Sequence, residues 1–376
     1  MKNHLLACQP TVNKMIVKAL GTLLFDSTGK SYVDFEAGTW AVPVGHSHPR
    51  LTEKMRRKVG ELVHLHYSMT NVDSERLAET LLKLLKMENG KGIFLSSGSE
   101  AVLLATRLAN FVCNGKNGIL TFSTSYHSAY NINRQEGWVY FDYFNCLNCR
   151  DECCHNCPLV KEIDFQGIGT FFFEPISGSN VTSPPEKLVR YIANEMNKRK
   201  GIIIVNEVTT GLGRTGKWFG YEHFDIAPSI VVLGKGLGNG YPISGVIINE
   251  LVSRAIETSN FVYVQSHQND PLGCAVANEV ITILKDEKLI ERAEKMGQFF
   301  QRELEKLEKI KSIRRRGLMV AVEIEGSPKC EHIASKLLEQ GYFIGVTPSL
   351  NLLRFYPPLT ITETEILGLC HSLKNL

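Results

Sequence analysis

Apolar residues in this chain fall into two kinds of pattern. Short unbroken runs, GIFL at 92–95, GILTF at 118–122, GTFFF at 169–173, GIIIV at 201–205 and SIVVL at 229–233, are bounded by Gly, Ser or polar residues. Such runs predict strands covered on both faces, as in a parallel sheet between helix layers. Elsewhere the spacing is helical: Ala101, Leu104, Ala105, Leu108 and Phe111 come directly after GIFLSS, and one face of a helix repeats that way. Helical spacing also covers about Pro49 to Leu85. After Pro271 it predicts one or two long amphipathic helices ending in LEKLEKIKSIRRRG, with Arg314, Arg315 and Arg316 at the C-terminal end of the last.

Near the N-terminus GTLLFD and SYVDFEAG flank an Asp26–Gly29 turn and predict a hairpin. The strands MVAVEIEG and LLRFYPP close the chain. The prediction is an α/β protein with a mostly parallel central sheet between helix layers, in a large domain over 49–276. A smaller α+β domain is built from both ends, 1–48 and 277–376. No internal repeat or low-complexity linker interrupts it.

Composition narrows the partners. The 376 residues are 43% hydrophobic and 22% charged, and 42 Lys plus Arg against 39 Asp plus Glu leave a charge of +3. So small an excess argues against nucleic acid or an acidic membrane as the main partner. No run reaches the roughly eighteen apolar residues of a membrane span, and MKNHLLACQP lacks the pattern of a secretory signal. A cytoplasmic protein is expected.

Chemistry is predicted at four places. Lys235 comes after a buried strand and has glycines at 234, 236, 238 and 240; desolvation there lowers an amine's pKa and makes it a nucleophile. Ser97-Gly98-Ser99-Glu100 lies at a strand-to-helix junction, where unpaired N–H groups favour an anion and Ser99 is the expected cap. Gly211–Gly216 fits GxGxxG, but the adjoining segment KWFGYEHFDIAP is a poor helix for a dinucleotide's pyrophosphate. Residues 144–158 form a cysteine-rich insert, in which CLNCRDECCHNC carries two C-x-x-C pairs. Cys146, Cys149, Cys154 and Cys157 could supply four thiolates to zinc or to an iron–sulfur cluster, with Cys153 or His155 as substitutes. Redox-active or unliganded thiols are the further alternative. Cys8, Cys113, Cys274, Cys330 and Cys370 read as buried small hydrophobes, and His46 and His48 as loop-capping residues.

LSSGSEA, SYHS, EPISG, NEVTTGLGRTG, LGKGLGNGYPISG, NDPLGCA and LLRFYPPLTIT, in this order, resemble class III aminotransferases, the fold type I enzymes that use pyridoxal 5′-phosphate (PLP). Ornithine, acetylornithine and 4-aminobutyrate aminotransferases belong to that family. GTLLFDSTGKSYVDFEAG and GHSHP match its N-terminal segment, and the likeness runs from about residue 20 to 370.

The resemblance implies that Lys235 forms the Schiff base with the cofactor and shuttles the substrate proton. Gly98 and Ser99 match the phosphate cup, with Ser266 in the place of a residue that reaches the phosphate from the other subunit of a homodimer. Tyr126 and Val208 match the residues on the two faces of the cofactor ring, and Glu174 the acid near its polar edge. Arg354 matches the arginine that binds a substrate carboxylate in several members. Trp40, in GTWAVPVG, is either a pocket wall or a core residue.

Two positions depart from the family. Asn206 stands where an aspartate faces the ring nitrogen, and Glu207, pointing to the opposite face of the strand, is no substitute. Thr209 stands where a longer glutamine approaches the phenolic oxygen. The implied reaction is amino transfer from an amino acid or amine to a 2-keto acid. An amino-acid racemase or epimerase, or a non-catalytic cofactor- or metal-binding protein that keeps the fold, are the alternatives.

Overall fold

The structure is a computed structural model that describes residues 6, 8, 12, 14–113, 115–130, 136–147, 149, 154 and 157–376. The N-terminal hairpin forms as predicted. Strand β1 (Ile16–Leu20) pairs with β2 (Leu23–Asp26), which turns back into β3 (Ser31–Asp34). Asp26 builds that turn: Oδ1 accepts from the Thr28 and Lys30 backbone N–H groups, and Oδ2 accepts from Tyr32. The local side-chain bonds mimic a backbone turn.

The large sheet is made of β4 (Lys91–Leu95), β5 (Gly118–Phe122), β6 (Trp138–Phe141), β7 (Ile168–Phe173), β8 (Ile202–Asn206), β9 (Ile230–Leu233) and β10 (Ser244–Ile248). Their spatial order is β4-β10-β9-β8-β7-β5-β6. β6, β5, β7, β8 and β9 run parallel, whereas β10 is antiparallel to both β9 and β4. Every residue of β7, β8, β9 and β10 is buried, as unbroken apolar runs require. Each phenylalanine of the FFF run stabilises the sheet by about 1.5–3 kcal/mol relative to exposure. The helix Gly98–Cys113 packs on one face, contributing Ala101, Leu104, Ala105 and Leu108 to a core with Phe172, Ile204 and Val232. The helices Pro271–Asp286 and Glu186–Lys198 contribute to the core that holds Phe171, Phe173, Ile203 and Val205.

The chain ends form two further sheets. β11 (Ile310–Arg316), β12 (Met319–Ile324), β14 (Gly345–Thr347) and β15 (Leu352–Phe355) pair in the order β11-β12-β15-β14, and the short β13 (Tyr342–Phe343) joins β3 in parallel.

Three expectations are corrected. The last amphipathic helix ends at Leu304, and Arg314–Arg316 lie on β11. Arginine favours helices, but pairing of β11 with the buried MVAVEI strand overrides local preference. Arg315 there meets both oxygens of Glu294 at 3.1 Å. Ser99 is not the cap of its helix: Ser97 Oγ accepts from the Glu100 N–H, while Ser99 Oγ accepts from the Ala129 N–H. Cys8 is exposed and Cys113 half-buried, so neither is a core residue; Cys274, Cys330 and Cys370 are buried.

Among the described residues no helix is long and apolar enough to cross a membrane.

Candidate active site

The site lies where strands of the large sheet end. β9 runs to Leu233, and Gly234 leads into a 3₁₀ turn that begins with Lys235. The Lys235 backbone has φ = 40°, a left-handed conformation that strains a residue with a Cβ and often marks a functional position. Its side chain turns inward. Nζ donates to Thr209 Oγ1 at 2.8 Å and lies 4.2 Å from the centre of the Trp40 ring. Burial pushes the amine well below the ordinary lysine range, and the nearby Glu174 carboxylate opposes that shift without cancelling it. Glu174 is displaced upward by burial and held back by Lys235.

Gly98, Val208 and Gly234 pack closely against one another. A Cβ on Gly98 would lie 3.0 Å from Val208 Cγ1, and one on Gly234 would lie 3.3 Å from the same atom. A larger residue at either glycine would have to push the Val208 side chain aside where the helix start approaches the strand ends. Glu100 binds the Ser96 and Ser97 N–H groups at 3.1 and 2.7 Å. The N–H groups of Gly98 and Ser99, lacking intrahelical acceptors, remain for an anion.

The opposite wall carries Tyr126 and Asn206. Tyr126 is 63% exposed, so its ring is open to a stacking partner. Its N–H donates to Glu174 Oε2 at 3.4 Å, and its carbonyl accepts from Asn206 Nδ2 at 3.0 Å. Asn206 Oδ1 also accepts from the Val208 N–H at 3.2 Å. Glu207 points away: its carboxylate takes the Thr210 hydroxyl and the N–H groups of Gly220 and Tyr221. Burial raises it to about 7.

A second cation closes the site from the C-terminal sheet. Arg354 on β15 stacks 5.0 Å from the same Trp40 ring that faces Lys235. It pairs with Glu36 at 3.5 Å and donates to the Gly178 carbonyl at 3.4 Å. Glu36 accepts from Trp40 Nε1 at 3.0 Å. Burial raises its carboxyl to about 7 despite Arg354. Arg354 Nε and Glu36 Oε1 are buried without hydrogen-bond partners, so each group keeps one unsatisfied atom. The space for Glu36 depends on Gly345, where a Cβ would sit 2.3 Å from Oε1.

The structure thus gathers Lys235, Thr209, Glu174, Trp40 and Arg354 around one space, with Gly98 packed on Val208 and Tyr126 and Asn206 joined by a hydrogen bond. Trp40, left open between wall and core, lies against both cations. Ser266 stands apart from them, exposed on the loop before Asp270. Glu36 escaped the sequence reading, because nothing near FEAG announces a partner on β15. Arg214, within the GxGxxG segment, is buried, and its Nη1 donates to the carbonyls of Leu318 and Pro357. No helix begins at Gly216, so this glycine turn joins the large sheet region to the C-terminal strands.

The cysteine insert lies beside β6 and β7. Cys146, Cys154 and Cys157 are buried and Cys149 half-buried; Cys153 and His155 lie outside the described residues. Among the described residues, the group bringing three possible ligand atoms within 4.8 Å of one another is His64, His267 and Asp270. Both histidines there use Nδ1 on the Asp270 carboxylate at 2.6 Å. A surface cavity of about 510 Å³ around Met87, Tyr221 and Pro228 shares no residue with the Lys235 site.

Comparison with known proteins gives a consistent picture. The family model for class III aminotransferases matches residues 7–132 and 148–376. Acetylornithine aminotransferase of Caldanaerobacter subterraneus is 33% identical, over 94% of this chain and 91% of that protein. The crystal structure of acetylornithine aminotransferase from Elizabethkingia anophelis superposes with a TM-score of 0.85 at 27% identity, covering 99% of this chain and 95% of that one. A thermostable (S)-enantioselective omega-transaminase from Thermomicrobium roseum superposes with a TM-score of 0.90 at 25% identity, covering 99% and 95%.

Proposed function

The chain belongs to the class III aminotransferase family and is a PLP-dependent aminotransferase of fold type I, and from that premise we propose how its residues divide the work. The observation that carries the reading is the desolvated Lys235 amine, held by Thr209 at the end of β9. When bound, PLP supplies an aldehyde that condenses with amines and a ring that draws electrons from the bond being broken. The residues present fit it: an inward amine, a helix N-terminus for the phosphate, and the exposed Tyr126 ring.

Lys235 holds the cofactor, and its Nζ moves the substrate's α proton as general base and acid. Gly98 and Ser99 hold the phosphate, Tyr126 and Val208 enclose the ring, and Glu174 and Thr209 orient its polar edge. Arg354 binds the substrate carboxylate through a bidentate guanidinium, displacing Glu36. Trp40 keeps water from both. Asn206, already bonded to Tyr126 and Val208, offers the ring nitrogen no negative charge. One amino acid becomes a keto acid, and a second 2-keto acid takes up the amino group.

The same proposal includes a homodimer. Leu103, Phe111, Val262 and Val264 are large exposed apolar residues around the loop that carries Ser266, whose role at the phosphate needs a second subunit. It also includes a cytoplasmic location, and zinc, or an iron–sulfur cluster, at the cysteine insert.

The test is incubation with a panel of amino donors and 2-keto acids. Formation of a new keto acid matched by a new amino acid supports transfer. Inversion of the donor with no keto acid would favour a racemase. Light scattering on the purified protein, expected at twice the chain mass, checks the dimer.

A further inference from the structure

We propose that Cys146, Cys149, Cys154 and Cys157 bind one zinc ion as four thiolates, and that this ion fixes Tyr143 as a brace between two loops of the active site. Each C-x-x-C pair is closed by a backbone hydrogen bond between its two cysteines. The Cys149 N–H donates to the Cys146 carbonyl at 3.2 Å, and the Cys157 N–H donates to the Cys154 carbonyl at 3.1 Å. Closed tetrahedral zinc sites are built from C-x-x-C pairs of this spacing. Cys146, Cys154 and Cys157 enter one apolar core with Tyr143, Val160 and Phe165.

Cys146, Cys154 and Cys157 are buried and Cys149 is half-buried, so water competes little for the four thiols. They are not drawn as tightly together as the His64 group. Forming four zinc–sulfur bonds of about 2.3 Å releases four thiol protons to solvent. Lys187, which donates to the Cys149 carbonyl at 2.9 Å, places a positive charge beside the dianionic complex.

The link to the active site is short. The Cys146 N–H donates to the Tyr143 carbonyl at 2.8 Å. The Tyr143 ring is fully buried, and its hydroxyl accepts from Thr124 Oγ1 and donates to Thr182 Oγ1, both at 3.1 Å. Thr124 lies two residues before Tyr126. The Thr182 carbonyl receives the Ser177 N–H at 2.8 Å, next to Gly178, whose carbonyl binds Arg354 and Tyr356. An ion that fixes Tyr143 thus fixes both the ring-stacking loop and the loop beneath Arg354. The zinc site stands independently of the amino-transfer reading, whereas its effect on cofactor retention rests on that reading.

The experiment is elemental analysis and zinc-edge X-ray absorption on the holoenzyme purified without chelator. These are combined with melting temperature and PLP content for wild type, the Cys146→Ser/Cys154→Ser double variant and Tyr143→Phe. Expected are about one zinc per chain with sulfur-only ligation in the wild type, and loss of zinc with a fall in melting temperature in the double variant. Tyr143→Phe should retain zinc but release PLP several-fold more readily. Absence of stoichiometric metal in the wild type overturns the site, and stoichiometric iron overturns the zinc assignment. Zinc kept by the double variant overturns the ligand set. Unchanged PLP release in Tyr143→Phe overturns the brace and leaves the zinc site standing. A wild type that holds zinc but never PLP would instead overturn the amino-transfer reading.

Discussion

Lys235 and Arg354 are two cations set against one indole ring, yet their surroundings differ in kind. Lys235 comes from the end of a buried strand and has a neutral hydroxyl as its hydrogen-bond partner. Arg354 comes from the C-terminal sheet and has a carboxylate. Desolvation moves the lysine toward its neutral, nucleophilic form. A guanidinium stays charged in any protein environment, and Glu36 pairs with it at 3.5 Å. Trp40 screens both from water. One ring thus serves a group that must lose its charge and a group that must keep it.

Removing the lysine should break this pairing most severely. Lys235→Ala is expected to lower turnover on the order of 10⁴-fold, the scale of lost acid–base catalysis, measured as keto-acid formation. Arg354→Lys keeps the charge but loses the fork. It should raise KM for donors bearing an α-carboxylate about 10- to 100-fold, as expected for a lost charge-assisted hydrogen bond, while amines lacking that group change little.

Glu36 offers a pH test with a definite sign. Its carboxyl is raised to about 7, so it is ionised and competes for Arg354 above that pH and is neutral below it. KM for a carboxylate donor should therefore fall as pH drops through 7, and Glu36→Gln should flatten that dependence and lower KM a few-fold at pH 8. A dependence unchanged in the variant would exclude Glu36 as the competitor.

Thr209→Val should have the smallest effect. Losing one hydrogen bond to Lys235 costs about 1 kcal/mol and should slow reloading of cofactor-free protein several-fold. In the wild type, reloading should speed up as the amine loses its proton, with a midpoint well below the ordinary lysine value of 10.5. A midpoint at 10 or above would show that Lys235 is solvated.

The two cations were not equally legible in the sequence. Lys235 stood out because a buried strand and a run of glycines leave a lysine few other roles. Continuous apolar runs such as FFF and IIIV likewise announced the sheet, since only strands covered on both faces tolerate them. Arg354 drew attention only through the motif around it, and its partner Glu36 is brought near by the meeting of β3 and β15 regions far apart in the chain. Arg314–Arg316 misled for a related reason: their helical preference is local, whereas the β12 strand that claims them is recognised only once the sheet forms. The cysteine turns were legible as spacing. Their connection through Tyr143 to Thr124 and Thr182 was not, because hydroxyl contacts between distant loops leave no periodic trace.

The central claim is that Lys235 is the residue that holds the cofactor. Borohydride reduction of the PLP-loaded protein, then peptide mapping, tests it most directly. A pyridoxyl label is expected on the peptide containing Lys235 and nowhere else, and lost with the visible absorbance in Lys235→Ala. A label on another lysine, or on none, would contradict it.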